Sequence, residues 1–433
     1  MGRKEVHIDW LMIFLYLFIV FFGWMNVYAA SQMESSGDLF DMSTSYGRQL
    51  LWISISFLAA FVIMFMNHHF FTAFAYPIYG LSILFLVGVL IVGQEVSGSK
   101  SWFVITESLK FQPSEFAKFA TALVLAKFMG EKGFSFGGPG TTLFKFFDVP
   151  VKLSRQGIIA LALFILPAIL ILLENDTGST VAFMALFLVF YREGFTGLVL
   201  VYAVLAIVVV LLTVLVDKVI LLSIIAAIAL IFALLFRASK GLIALALLSG
   251  LAFSGLVFGT DYLMHDVLQK HQRDRILVLV GKLQDPKGVE YNVNQSKIAI
   301  GSGGLVGKGF LEGTQTKYRF VPKQYTDFIF SAVGEEWGFL GSTLLILVYF
   351  GLLIRIVLNA ERQKSRFSRI YGYGVASILF AHIAINIGMC IGLVPTIGIP
   401  LPMFSYGGSS LFSFTILIFI FIKLNSKRQA VLS

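Results

Sequence analysis

Residues 197–216 read GLVLVYAVLAIVVVLLTVLV, twenty in a row without a charge. About 20 apolar residues are what a helix needs to cross roughly 30 Å of hydrocarbon. Lipid offers no partner to an exposed backbone amide or carbonyl, so such a run spans as an α-helix. Working outward, comparable runs lie near 10–30, 48–66, 70–93, 113–129, 157–173, 179–191, 219–236, 241–258, 326–357, 372–394 and 403–424. That makes twelve spans, with 179–191 the shortest. Composition agrees: 58% of the 433 residues are hydrophobic and 13% are charged, with mean hydropathy +0.86. Soluble domains carry about 25% charge, because they need a solvated surface. The expected fold is an all-α polytopic membrane protein, one transmembrane helix bundle over 1–433.

Charge sets the orientation. With the N-terminus inside, the inner segments hold Arg3 and Lys4, then Lys127, Lys132, Lys145, Lys152 and Arg155, then Arg192, Arg237 and Lys240. Arg355 to Arg369 and Lys423 to Arg428 follow on the same side, whereas 31–47, 174–178 and 395–402 hold no Lys or Arg. This positive-inside pattern places both termini in the cytoplasm and the interval 259–325 outside. The apolar run from Trp10 to Ala30 is too long for a cleaved signal's core, so it reads as a retained anchor. Orientation and anionic inner-leaflet lipid account for the net charge of +9 without nucleic acid. A single cysteine, Cys390, excludes an internal disulfide and a thiol-rich metal site.

Four polar intervals interrupt the spans: 31–47, 94–112, 130–156 and 259–325. The last is too long to be a plain connector and carries apolar runs at 276–280 and 298–300, so it should fold as a large outer loop. It holds ten basic residues, Arg273 and Lys297 among them, against six acidic ones. That excess on the outer face opposes the orientation rule and suits an anionic amphiphile such as a lipid pyrophosphate. Solvated lysines decorating a loop would look the same. Its glycines (Gly301, Gly303, Gly304, Gly307, Gly309, Gly313) mark close turns but lack the spacing of a nucleotide loop. Asp285 before Pro286 is by itself a turn signal.

Ionisable groups at membrane depth are costly and so mark candidate sites. Glu115 and Lys118 stand three apart on one helical face and can pair. Pro113 suits the first helical turn, and Ser114 can help to cap it. An interfacial helix start with a snorkelling lysine fits these residues equally well. Glu174 and Asp176 read as an outer-surface turn, and His382 and Asn386 as interhelical hydrogen-bonding groups.

Several separated motifs then occur in order: Lys100-Ser101-Trp102; Phe111-Gln112-Pro113-Ser114-Glu115 with Lys118; Gln272-Arg273; Asp285-Pro286; and Gln295 to Gly304 with Gly309. Gly313-Thr314-Gln315, Thr326 to Phe330, Gly334-Glu335-Glu336, Asn386-Ile387-Gly388, Pro400-Leu401-Pro402 and Ser405 to Ser409 complete the series. Together they resemble the SEDS family (shape, elongation, division, sporulation) over nearly the whole chain, and its elongation type, RodA, more than its division type, FtsW.

The resemblance implies a peptidoglycan glycosyltransferase that polymerises lipid II on the outer face of the cytoplasmic membrane. It also implies a class B penicillin-binding protein as crosslinking partner. It maps the family's essential loop aspartate onto Asp285, as a base near the acceptor sugar's hydroxyl. Lys118, Arg273 and Arg48 suit a leaving pyrophosphate, Trp102 a sugar or lipid contact, and Glu115, Ser114 and Lys297 the rest of the substrate site. A leaving pyrophosphate suits a divalent cation, Mg or Mn, although no ligand cluster in the sequence specifies one.

The chain departs from the family at Gly288-Val289-Glu290-Tyr291, at Glu174-Asn175-Asp176-Thr177-Gly178, and at Lys323, Gln324 and Tyr325 after Pro322. The family has ten spans, so 219–258 reads as an extra helix pair. A lipid II transporter and a scaffold for the crosslinking partner are the competing readings.

Overall fold

The computed structural model describes residues 8–31, 39–96, 98–104, 110–137, 142–146, 149–152, 154–237, 240–268, 270–283 and 290–426. Helices α1 (Trp10–Ser31), α2 (Ser45–Phe65), α3 (His68–Ala73) and α4 (Ala75–Val92) lead into β1 (Gln94–Val96), β2 (Ser99–Val104) and β3 (Lys110–Phe111). Helix α5 (Pro113–Met129) is followed by β4 (Thr142–Phe146), β5 (Val149–Lys152), α6 (Arg155–Leu173), α7 (Thr177–Met184) and α8 (Phe187–Arg192). Next come α9 (Leu198–Leu215), α10 (Lys218–Leu235), α11 (Lys240–Tyr262), a π-helical turn (Leu263–Val267) and α12 (Lys270–Leu279). The chain continues through α13 (Tyr291–Ser302), α14 (Thr314–Lys317), α15 (Ile329–Glu361), α16 (Arg366–Cys390) and α17 (Gly408–Asn425).

Among the described residues, ten helices are long and apolar enough to cross a membrane: α1, α2, α4, α6, α9, α10, α11, α15, α16 and α17. The other two expected spans are the seventeen-residue α5 and the stretch 179–191, which is split between α7 and α8. The interval 94–112, one of the four polar intervals, contributes a small antiparallel sheet in the order β1-β2-β3. By its contacts the chain divides into two compact units. One comprises 1–134, 159–190 and 292–433; the other comprises 135–158 and 191–291.

In the first unit α17 packs on α2, α16 on α15 and α5, and α4 on α5. Helices α16 and α17 are its centre, the most deeply buried of the long apolar helices. Helix α15 explains how the loop is anchored. Its 33 residues would run about 50 Å if straight, but Gly338 takes φ 62° and ψ −159°, a conformation kept for glycine, and breaks it. The break frees backbone groups that segment 304–309 then satisfies. Lys308 N donates to Glu335 O (3.0 Å) and Gly309 N to Glu336 O (3.0 Å), while Phe339 N donates to Gly304 O (2.9 Å) and Leu340 N to Leu305 O (3.0 Å). A side chain at Gly307 would strike the backbone at Glu336, so the motif glycines there serve close approach.

In the second unit α10 and α11 pair, and α9 lies against α11. Leu221, Ile225 and Val257 form their buried contact. Asp217 caps α10 by accepting from Val219 N at 2.9 Å, and Lys218 Nζ meets Asp261 Oδ2 at 2.5 Å.

Candidate active site

Helix α5 begins with Pro113 at its first turn, which removes an amide that would have no intrahelical partner. Ser114 does not cap it. The Ser114 hydroxyl instead donates to Asp176 Oδ2 (3.3 Å) and lies 3.3 Å from the Ser179 hydroxyl. Asp176 is a hub: it caps α7 by accepting from Ser179 N (2.9 Å) and takes the Gln112 amide (2.7 Å). The Gln112 backbone amide donates to the Ser409 hydroxyl at 3.3 Å, and that hydroxyl donates to Lys110 O at 2.9 Å. The heads of α5, α7 and α17 are thereby fastened to β3.

One turn into α5 lies the ion pair. Lys118 Nζ is 2.5 Å from Glu115 Oε1, with side chains 2% and 3% exposed. The snorkelling alternative is therefore excluded. Lys118 also meets His382 Nε2 at 2.8 Å and lies over the Phe414 ring at 5.6 Å. Glu115 Oε2 is buried with no hydrogen-bond partner among the described residues. An ammonium has three N–H donors, and two are taken here. The pair thus keeps one donor and one acceptor for something else. Leaving polar atoms unmatched at this depth is expensive unless a ligand completes them.

Arg48, on α2, donates from Nε to Thr44 O (3.2 Å), and its guanidinium sits 5.8 Å from the Tyr406 ring. Its neighbour Gln49 holds the 405–407 turn, donating to Ser405 O (3.4 Å) and accepting from Gly407 N (3.3 Å). Trp102 is half-buried on β2 opposite Gln94. Lys297 is exposed on α13, its ammonium against Gly392. These residues share the first unit with Glu115, Lys118 and Ser114. Arg273 belongs to the second unit, 4.0 Å from Asp274, and Asp285 lies outside the described residues. Among the described residues no group of three or more His, Cys, Asp or Glu gathers to hold a metal. They offer the expected divalent cation no cage, and no catalytic step is assigned to one.

Beside the polar cluster lies an apolar groove of about 650 Å³ lined by Phe85, Phe103, Val104, Phe111, Phe116 and Phe412. Phe116 and Phe412 also line a second groove, of about 440 Å³, that continues along α2 to Met66 and Phe70. Lys118 and Phe116 thus place a buried cation and a long apolar surface on the same short helix.

Glu174 is the largest surprise. Expected in a surface turn, it is 0% exposed, and neither carboxylate oxygen has a partner among the described residues. Its carbonyl anchors β2, accepting from Lys100 N (3.0 Å) and the Ser99 hydroxyl (3.1 Å). Burial, and then the charge of Asp176, raise its pKa from 4.5 to about 9. Folding therefore takes up a proton between these values, and stability falls as pH rises through that window, by about 1.4 kcal/mol per unit. We expect Glu174→Gln to remove that slope. Its thermal midpoint in detergent should exceed the wild type's by a margin that widens from about pH 5.5 to about pH 8. Equal margins at both would assign the burial no electrostatic cost.

The model of the FtsW/RodA/SpoVE family, described as cell cycle protein, matches residues 9–222 and 192–430. The peptidoglycan glycosyltransferase MrdB of Escherichia coli K12 is 31% identical over 410 residues, covering 94% of this chain and 90% of that one. The peptidoglycan glycosyltransferase RodA of Treponema pallidum is 32% identical over 450 residues, covering 97% and 98%. A solved chain from a peptidoglycan synthase complex, described for its coordination of polymerization and crosslinking, superposes with TM-score 0.67 at 25% identity over 98% of this chain and 99% of that one. The rod shape determining protein RodA of Thermus thermophilus shares the fold, with TM-score 0.59 at 23% identity over 98% of both chains. The ordered motifs, the multi-pass helical fold and these matches agree, and the chain belongs to the FtsW/RodA/SpoVE family.

Proposed function

We propose that this chain polymerises lipid II into glycan strands for cell elongation, at the outer face of a bacterial cytoplasmic membrane. It is a peptidoglycan glycosyltransferase, as its MrdB and RodA relatives are named. The observation that carries the lipid substrate is the incompletely satisfied Glu115–Lys118 pair beside a long apolar groove. That combination suits an anionic headgroup on a polyprenyl tail.

In the reaction the acceptor's sugar hydroxyl loses its proton to Asp285, and its oxygen bonds to the anomeric carbon of the donor. The bond from that carbon to phosphate breaks, and the lipid pyrophosphate leaves with the electron pair. The remaining N–H of Lys118, with Arg48, offsets the charge that grows on the pyrophosphate. Lys297 and Trp102, in the same unit as Lys118, complete the substrate contacts.

The positive-inside pattern supports cytoplasmic termini. The likeness to a chain of a peptidoglycan synthase complex supports a class B penicillin-binding protein as partner. The test is direct. The purified protein in detergent, given lipid II alone and then with that partner, should make glycan polymer. Without a second compartment a transporter has nothing to do, and a scaffold makes no polymer. Lipid II left unchanged in both arms would refute the enzyme reading.

A further inference from the structure

Lys118 has a second partner that neither its helix nor its charge accounts for. His382, on α16, is 1% exposed, and its Nε2 lies 2.8 Å from Lys118 Nζ. An ammonium carries donors only, so Nε2 must accept, and the ring proton must sit on Nδ1. That nitrogen faces Pro400 O at 3.3 Å, a carbonyl that can only accept, so one tautomer satisfies both contacts. The ring is held from a third side as well, with Phe414 edge-on at 4.9 Å and 85°. One turn further along α16, Asn386 donates to Ile399 O (2.7 Å) and Asp327 O (2.8 Å), which fixes the helix against the same loop.

From this we infer that His382 is a positioning residue for the transferase reaction, orienting the ammonium of Lys118. With one N–H on Glu115 Oε1 and one on His382 Nε2, the tetrahedral ammonium has a single direction left for the third. Glu115 alone would leave it free to turn about its one remaining contact. His382 therefore converts a buried charge into an aimed donor. The same ring links Lys118 to the backbone of the 399–400 loop, next to the turn that carries Tyr406. This inference rests on the reading that Lys118 serves the donor's pyrophosphate.

The test uses the full-length protein in detergent with lipid II, reading kcat, KM and the thermal midpoint. His382→Leu removes the acceptor while filling the volume. It should lower kcat by about 100-fold, the scale of a misplaced catalytic contact, with KM changed far less. His382→Gln returns an acceptor to the place of Nε2 and should recover most of that loss. Should His382→Leu fail to accumulate, His382→Asn replaces it, since its amide stops one methylene short of Lys118. Activity of the Leu or Asn variant at the wild-type level overturns the inference. So does a Gln variant as impaired as the Leu variant, because a packing role would not be rescued by an acceptor. Lys118→Met separates the two claims. If it polymerises normally, the role given to Lys118 fails; if it is inactive while His382→Leu is not, only the positioning role fails.

Discussion

Asp285→Asn is expected to abolish glycan polymerisation by the purified protein while leaving it folded. The substitution keeps the side chain's size and hydrogen-bonding reach but removes its ability to take a proton. A positioned general base is worth roughly 10²- to 10⁴-fold in rate, so chain growth from lipid II should fall by at least that lower bound. The thermal midpoint and the KM for lipid II should stay near the wild type's, since Asp285 stands in a polar stretch of the sequence, away from the long apolar runs. The measurement is glycan length and yield on a gel, with the midpoint read on the same preparation. Undiminished growth would remove Asp285 from the chemistry and leave Glu115 as the carboxylate to examine, because its Oε2 is buried without a partner among the described residues.

Much of the architecture could be read before any coordinates. Hydrophobic length located all ten helices that, among the described residues, are long and apolar enough to cross, because span length is fixed by the bilayer and not by packing. The pairing of Glu115 with Lys118 was equally legible, since residues three apart on a helix face each other. What could not be read depends on contacts distant in sequence. The partner of Lys118 lies on α16, 264 residues away, and nothing around His382 announces it. Glu174 resembles any turn carboxylate, because burial is a tertiary property. The sheet at 94–111 is made by pairing, as at Gln94 with Trp102, and its own residues carry little strand pattern. The break in α15 hides inside an apolar run that reads as one span. Only the φ of Gly338 and the segment bonded across it show that residues 329–337 hold the 304–309 stretch of the loop. The sequence also offered no sign that the large loop is divided, its first part in one compact unit and its part from 292 in the other.

The second large effect is expected at Glu115, and it separates scaffolding from chemistry. Glu115→Gln leaves Lys118 with its charge, 2% exposed, and only neutral groups beside it: a carboxamide, an imidazole and an aromatic face. Breaking a buried pair by removing one partner costs about 3–5 kcal/mol, because the remaining charge stays uncompensated. The thermal midpoint in detergent should therefore fall sharply, and polymerisation with it. Replacing the second charge as well, in Glu115→Gln/Lys118→Met, removes that penalty, and neutral replacement of a buried pair is often close to neutral in stability. The double variant should thus regain most of the lost midpoint. If the pair only holds α5 in place, polymer synthesis should return with stability. If Lys118 carries the positive charge that meets the leaving pyrophosphate, the double variant will be stable and still inactive. We expect the second result, because a pair kept only for packing would have no reason to leave Glu115 Oε2 and one ammonium N–H unmatched among the described residues. A stable double variant that polymerises lipid II at the wild-type rate would reduce the pair to a structural fastening.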